Sequence, residues 1–181
     1  MEINYNNNQY ENIYEFKDIN ELNDGIEIKD NEIILYALNS NPKSLVFFNL
    51  NQKEKIKTLN NLNLYIRWCV GSRIVKLNNE EVALAGDKKV YLIDINNYEI
   101  LNEINCEHSC ECILKLSNNL FLTGDESGTI IKYRSENKKL IKDSWKNKSY
   151  EVSIVSMTII DNLIICGGRR NKGIKIWKIN E

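Results

Sequence analysis

ILKLSNNLFLTG at residues 113–124, followed by TIIKYR at residues 129–134, shows the unit from which this chain is built. Each unit begins with an apolar run that is followed by a short turn containing asparagine. A second apolar run then ends on a small residue, and a third run follows in which apolar and polar residues alternate. The same pattern occurs three more times: IEIKDNEIILYA (26–37) with SLVFFNL (44–50), IVKLNNEEVALAG (74–86) with VYLIDI (90–95), and MTIIDNLIICG (157–167) with GIKIWKI (173–179). The chain therefore repeats one unit four times.

The spacing and character of these runs indicate the fold class. The turn asparagines lie 40 to 48 residues apart, at Asn31, Asn79, Asn119 and Asn162. Short runs rich in aliphatic and aromatic residues, separated by polar turns, are typical of β-strands, and no helical periodicity is sustained after residue 25. Repeats of about 40–45 residues with four short strands each are typical of propeller blades. The sequence therefore predicts an all-β propeller of about four four-stranded blades.

The repeat boundaries divide the chain into two predicted regions. Residues 1–24 form an asparagine-rich N-terminal segment, and residues 25–181 form the blades, at about 25–65, 66–105, 106–148 and 149–181. The fourth unit reaches Ile179 with no fourth strand after it, and YENIYEF at residues 10–16 could supply that closing strand. We favour the alternative, an incomplete ring that a longer parent chain, a second copy or a partner completes, because an open arc leaves apolar blade faces in water.

Composition argues against several partners and locations. The 181 residues carry a formal net charge of −1, so no overall field attracts nucleic acid or anionic lipid. No run approaches the roughly 18 apolar residues of a membrane span, and the start MEINYNNNQ lacks the basic and apolar parts of a secretion signal. The five cysteines are an odd number without such a signal, so we expect reduced thiols in a cytoplasmic protein.

LTGDESGTIIKYR at residues 122–134 resembles the second half of the repeat of the WD-repeat β-propeller family. That repeat runs from a Gly-His pair, through a strand ending in Ser-Gly and an Asp-Gly turn, to a Thr-Ile-x-x-Trp strand and a closing Asp. Tyr133 occupies the tryptophan position, and Ser127 stands where the turn aspartate is usual. The fourth unit keeps the tryptophan itself, as Trp177, and His108 lies about where the family's histidine belongs.

The resemblance implies a set of structural repeat positions and a kind of function. The positions are His108, Thr123, Gly124, Tyr133, Gly167 and Trp177. We expect Tyr133 and Trp177 to be buried within their own blades, and the two glycines to permit close packing. We expect His108 to be partly buried and hydrogen-bonded in the third blade, with Thr123 as its candidate partner. WD-repeat propellers imply a module that displays loops to protein or peptide partners.

CEHSCEC at residues 106–112 is the densest group of potential metal ligands, with three thiols and the chain's single histidine. Zinc favours four such ligands, which suggests a metal-dependent propeller enzyme as one alternative function. The spacing matches no common zinc motif, however, and consecutive strand residues cannot all face one ion. We therefore expect no metal and no cofactor, with Cys110, Cys112 and Leu114 alternating onto one face of a strand as buried apolar groups.

Charged and aromatic loops supply the candidate partner-binding residues. GRRNKG at residues 168–173 contains three cations, and two lysines occupy the equivalent loop of the second unit, which the resemblance places on the same face. Trp145 in KDSWKNKSYE is a candidate exposed anchor. Trp68, between Arg67 and Arg73, is expected to pack in the core. The candidate binding residues are Lys88, Lys89, Trp145, Arg169, Arg170 and Lys172.

No catalytic machinery is visible, because the sequence has one histidine, no GxSxG elbow and no phosphate-cradling glycine loop. We therefore predict a non-catalytic scaffold for protein–protein interaction that presents propeller loops to a protein or peptide partner. One alternative is a metal-dependent propeller enzyme that uses the cysteines between Cys106 and Cys112. The other is a binder of nucleic acid or phosphoinositide through basic loops, although a net charge near zero favours ordinary solvated loops.

Overall fold

Four antiparallel β-sheets follow one another along the chain. The computed structural model describes residues 22–37, 44–60, 62–64, 72–148, 151–169 and 173–178. The first sheet contains β1 (Leu22–Lys29), β2 (Glu32–Ala37), β3 (Ser44–Asn49) and β4 (Glu54–Asn60), and the second contains β5 (Ile74–Lys76), β6 (Glu81–Ala85), β7 (Lys89–Asp94) and β8 (Glu99–Asn105). The third contains β9 (Cys110–Ser117), β10 (Leu120–Asp125), β11 (Thr129–Glu136) and β12 (Lys139–Lys148), and the fourth contains β13 (Ile154–Ile160), β14 (Leu163–Gly168) and β15 (Ile174–Lys178). No helix occurs in these ranges, so the predicted all-β class is confirmed.

Within every sheet, each strand pairs with its neighbour in sequence. This is the meander that the predicted units require, and β7, β11 and β15 are the alternating third strands of the second, third and fourth units. β1 begins at Leu22, so the first sheet takes in three residues that the sequence assigned to the N-terminal segment. The predicted closing strand at residues 10–16 lies outside the described residues.

Asparagine and aspartate shape the first turns of the sheets by two different means. Asn31 turns the first hairpin with a φ of 64°, in the left-handed region that asparagine tolerates. In the fourth sheet the residue with positive φ is Asp161, at 54°, one before the predicted asparagine. In the second sheet the side chain stabilises the turn, because Asn78 Oδ1 accepts the N–H groups of Glu80 and Glu81 at 2.8 and 2.9 Å.

The hydrophobic core lies between consecutive sheets, as β6 illustrates. Val82 and Leu84 pack toward the first sheet, whereas Ala83 and Ala85 pack toward the third. Both faces of this strand are buried, which explains its nearly continuous apolar sequence. A similar cluster of buried residues fills the space between the third and fourth sheets. Each large aliphatic side chain buried in this way contributes ~1.5–3 kcal/mol, so the stacking of the sheets stabilises all of them.

The sheets stack in the order of the sequence. β1 contacts β5, β8 contacts β12, and β9 contacts β13. Among the described residues, no comparably extensive contact joins the first sheet to the fourth, so the incomplete ring stays a prediction. The fourth sheet ends the stack, and its edge strand β15 leaves Ile174 73% exposed and Ile176 62% exposed.

The two predicted aromatic anchors differ in burial. Tyr133 is 0% exposed and stacks on Phe121, with ring centroids 5.4 Å apart, in the cluster between the second and third sheets. Trp177 is only partly buried, so the prediction that it is buried like Tyr133 is wrong. The reason is its place on β15, which forms the edge of the three-stranded fourth sheet and is covered on one face.

Gly124 is a point of close approach between the third and fourth sheets. A Cβ atom at this position would lie 2.8 Å from Ile154 Cγ2 and 2.9 Å from Cys112 Sγ. At Gly167 a Cβ atom would lie 2.9 Å from the Oγ of Ser156. The small residue that ends the second strand of these units therefore permits close packing, as the repeat predicts.

Candidate partner-binding face

Ser109 joins the loops of the second and third sheets. It lies in the connection between β8 and β9, and its Oγ donates to Asp87 Oδ1, in the β6–β7 loop, at 2.6 Å. Its backbone N–H donates to Glu126 Oε1, in the β10–β11 loop, at 3.4 Å, and its carbonyl accepts the Glu126 N–H at 3.0 Å. One buried serine thus holds two loops and a connection together.

The same series of hydrogen bonds continues to the fourth sheet. Ser153, before β13, donates from its Oγ to the Glu126 carbonyl at 3.2 Å. The Arg169 N–H, after β14, donates to the Ser153 carbonyl at 2.9 Å. We call the surface formed by these loops and connections, at residues 86–88, 106–109, 126–128, 151–153 and 169, the loop face.

Backbone hydrogen bonds support the loop face from beneath. The Asp87 N–H donates to the Asn63 carbonyl at 2.6 Å, and the Cys106 N–H donates to the Lys88 carbonyl at 2.7 Å. The Cys110 N–H donates to the Gly86 carbonyl at 3.2 Å. Backbone groups of these loops are therefore paired within the protein, which restricts their motion.

A carboxylate also fixes the β10–β11 turn, but not at the position that the family pattern suggests. Asp125 Oδ1 accepts the Ser127 N–H at 2.9 Å, the Ser127 Oγ at 2.7 Å and the Thr129 N–H at 2.9 Å. Ser127 stands where the family has aspartate, and Asp125, two residues earlier, supplies the missing acceptor. The Asp125 side chain thus stabilises this turn by accepting backbone N–H groups, as asparagine and aspartate side chains do in other short turns.

His108 does not make the predicted bond. It is partly buried, as predicted, but no hydrogen bond joins it to Thr123 in the described structure, so Thr123 as its candidate partner is wrong. The link between the β8–β9 connection and the neighbouring loops comes from Ser109, the next residue, instead. The Thr123 hydroxyl is buried and makes no hydrogen bond in the described structure.

The cysteines of the 106–112 segment diverge. Cys110 packs between the second and third sheets, whereas Cys112 and Leu114 pack between the third and fourth, so the prediction that these three share a face is wrong. A register shift in the β9–β10 pairing, between Cys112 and Cys110, turns the strand over at this point. Among the described residues, no group of three or more histidine, cysteine or acidic side chains is placed to hold a metal.

The charges of the loop face are mixed. Lys88 is exposed, but Lys89 forms an ion pair with Glu103 that raises its pKa, and the acidic Asp87 and Glu126 lie in the same loops. Of the other candidate binding residues, Arg169 belongs to the loop face and Trp145 lies on β12. The remaining two candidates, Arg170 and Lys172, lie outside the described residues, as does Trp68.

A polar groove of about 670 Å³ lies at the end of the second and third sheets opposite to the loop face. It is formed by the β5–β6, β9–β10 and β11–β12 turns. Its polar groups bond to one another: Asn78 Nδ2 donates to Glu81 Oε2 at 3.1 Å and to Asn119 Oδ1 at 3.0 Å. Ser135 Oγ donates to the same Glu81 oxygen at 2.7 Å. These bonds join the second and third sheets on this side. The groove is lined by Asn78, Asn79, Glu80, Glu81, Asn118, Asn119, Ser135, Glu136, Asn137 and Lys138.

Comparison with known proteins identifies the fold. No protein-family model matches the sequence, and no curated protein matches it either. The WD40 β-propeller domain of Doa1 superposes with a TM-score of 0.65 at 18% identity, over 86% of this chain and 50% of that one. A chain of the mitotic checkpoint complex gives a TM-score of 0.66 at 8% identity, over 83% and 48%. The computationally designed Ika4 protein gives 0.61 at 14% identity, over 83% and 86%.

The chain thus spans about half the length of the first two of these structures. At identities this low the likeness concerns the fold alone. Within the described residues, no helix is long and apolar enough to cross a membrane. Four blade-like antiparallel sheets and these structural neighbours together show that the chain has the WD-repeat β-propeller fold that its sequence resembles.

Proposed function

We propose that this chain is a non-catalytic interaction module that presents the loop face to a protein or peptide partner. The observation that carries the proposal is the series of hydrogen bonds from Asp87 through Ser109, Glu126 and Ser153 to Arg169. Loops that are already ordered lose little entropy when a partner binds, so more of the contact energy appears as affinity. The loop face therefore supports binding by rigid display.

The structural neighbours and the charges support a protein partner. One structural neighbour is a WD40 β-propeller domain, and another is a chain of the mitotic checkpoint complex. A propeller that is part of a complex suits a role in protein interaction. Acidic Asp87 and Glu126 beside basic Lys88 and Arg169 suit a peptide with both kinds of charge better than a polyphosphate. None of the four described cysteines forms a disulfide, which supports a reducing, cytoplasmic location.

Site-specific photo-crosslinking tests the proposal. A benzophenone amino acid replaces Lys88 on the loop face or, as the matched control, Asn137 on the opposite side. Both positions are exposed and both have positive φ, 53° and 51°, so the replacements disturb the backbone to a similar degree. In extract of the source cells, we expect a crosslinked polypeptide from position 88 but not from position 137, and we expect excess unlabelled chain to abolish it.

The crosslinking result and two further measurements distinguish the alternative functions. A crosslink from position 137 alone would place binding on the polar groove and contradict the proposal. A product that nuclease removes, with binding that weakens steeply with salt, would show the nucleic-acid alternative. Stoichiometric zinc in the purified chain would instead favour the metal-dependent enzyme.

A further inference from the structure

Two thiols lie close together where the second sheet connects to the third. The Sγ atoms of Cys106 and Cys110 are 3.8 Å apart, and the Cys110 thiol donates to the Cys106 sulfur. The Tyr133 hydroxyl lies 3.3 Å from the same Cys106 sulfur. A disulfide has its sulfurs about 2.05 Å apart, so a shift of less than ~2 Å would join the two residues.

The two thiols differ in exposure and in freedom to move. Cys106 lies between β8 and β9 and is partly exposed. Cys110 lies on β9 and is fully buried, and its carbonyl accepts a hydrogen bond from Arg73 Nη1 at 2.6 Å. An oxidant in solvent therefore reaches Cys106 first. The Cys106 backbone is held by its bond to the Lys88 carbonyl, so it is the partly exposed side chain that rotates toward the fixed sulfur of Cys110.

The surroundings also make Cys106 the better nucleophile. The hydrogen bond from Cys110, with smaller effects of Tyr133 and Lys142, lowers the pKa of Cys106 to about 7, against the opposing effects of burial and Asp125. The same hydrogen bond and complete burial raise the pKa of Cys110. Since the thiolate attacks electrophiles and the thiol does not, Cys106 is the reactive member of the pair.

We propose that Cys106 and Cys110 form a hydroperoxide-responsive pair, in which Cys106 is oxidised first and Cys110 then closes a disulfide. The Cys106 thiolate attacks one oxygen of hydrogen peroxide, the O–O bond breaks, and sulfenic acid and hydroxide result. Cys110 then attacks the Cys106 sulfur, the S–S bond forms, and the sulfenic hydroxyl leaves as water with the Cys110 proton. The two thiols supply the two electrons that reduce the peroxide. This inference is independent of the proposed function.

Disulfide formation alters the loop face locally. Cys106 has to leave the Tyr133 hydroxyl, and the closed ring encloses residues 107–109, including Ser109 with its bonds to Asp87 and Glu126. The paired strands on either side keep their hydrogen bonds. Oxidation therefore changes the connection between the second and third sheets and leaves the blades in place.

Mass spectrometry of the peroxide-treated chain tests the proposal. Trypsin releases residues 90–115 as one peptide, which contains Cys106, Cys110 and Cys112. We expect this peptide to lose about 2 Da, for two hydrogens, and dithiothreitol to restore the mass. Cys112→Ser is the matched control: it removes the third thiol and should leave the 2 Da loss unchanged. Cys106→Ser should abolish the loss, and Cys110→Ser should stop at a sulfenic acid that dimedone traps.

The opposite results would overturn the pairing. A 2 Da loss that persists in Cys106→Ser, or that disappears in Cys112→Ser, assigns the disulfide to other residues. The absence of any mass loss in the wild-type peptide refutes the proposal.

Alkylation of the wild-type chain by iodoacetamide is a second test, and it needs no variant. We expect Cys106 to react first, with a rate that rises about 10-fold from pH 6 to pH 8 and then levels, and Cys110 to react only after denaturation. Equal alkylation of the two native thiols would contradict their assigned roles.

Discussion

Arg73 and Glu111 form an ion pair that is completely buried between the second and third sheets. Arg73 Nη2 lies 3.1 Å from Glu111 Oε2, and both side chains are 0% exposed. The backbone N–H groups of Arg73 and Ile74 also donate to Asp24 Oδ2 of the first sheet, at 2.7 and 3.1 Å. Arg73, just before β5, therefore links β1, β5 and β9, strands of three sheets.

We expect Glu111→Gln to lower the free energy of unfolding by about 3–5 kcal/mol, because it removes the carboxylate that pairs with the buried Arg73 charge. Glu99→Gln, at an exposed position of β8, is the control, and it should change the free energy by less than about 0.5 kcal/mol. Urea denaturation of the three proteins measures both changes. Similar values for the two variants would show that the ion pair is not buried.

Gly124→Ala tests the contact between the third and fourth sheets. The new methyl group would lie 2.8 Å from Ile154 Cγ2, inside the core, so we expect a loss of about 1–3 kcal/mol from overpacking. Gly25→Ala is the matched control on β1, where the nearest atom is the flexible end of Leu35 at 3.2 Å. Thermal unfolding should rank Gly124→Ala clearly below Gly25→Ala. The reverse order would mean that the two sheets do not pack as described.

Tyr133 and Trp177 occupy equivalent repeat positions, but they should contribute differently to stability. Tyr133→Ala removes a fully buried, stacked ring, and we expect it to cost about 3–5 kcal/mol. Trp177 is covered on one face, so we expect Trp177→Ala to cost about half as much. Chemical denaturation of both variants decides the matter. Equal losses of unfolding free energy in the two variants would indicate that Trp177 is as fully buried as Tyr133, which would contradict the described packing of β15.

The exposed isoleucines of β15 predict self-association. Ile174 and Ile176 leave an apolar surface on the outermost strand, which resembles a blade face without its neighbour. We expect light scattering to give a mass above that of one chain, and Ile176→Lys to reduce it to a monomer. Ile100→Lys, on β8, is the control and should not change the mass. A monomeric wild-type chain would leave completion of the ring to a longer parent chain.

The repeat made the fold predictable, because alternating apolar runs between short turns leave few other architectures. The loop face was less predictable: Ser109 and Glu126 are ordinary polar residues in sequence, and their pairing depends on the approach of two blades. In the sequence Arg73 stands out only as a neighbour of Trp68, yet its partner Glu111 lies 38 positions along the chain. Likewise, the register shift that separates Cys110 from Cys112 arises from strand pairing that a single sequence does not reveal.

Hydrogen–deuterium exchange of the loop-face amides tests rigid display most directly. The N–H groups of Asp87, Cys106 and Glu126 are bonded to carbonyls of neighbouring loops, so they should exchange as slowly as amides within the strands. Ser109→Ala removes the bond to Asp87, worth ~1 kcal/mol, and should speed their exchange about fivefold. Ser117→Ala, at the exposed end of β9, should not change it. Exchange of these three amides at the rate of an unstructured peptide would contradict the account.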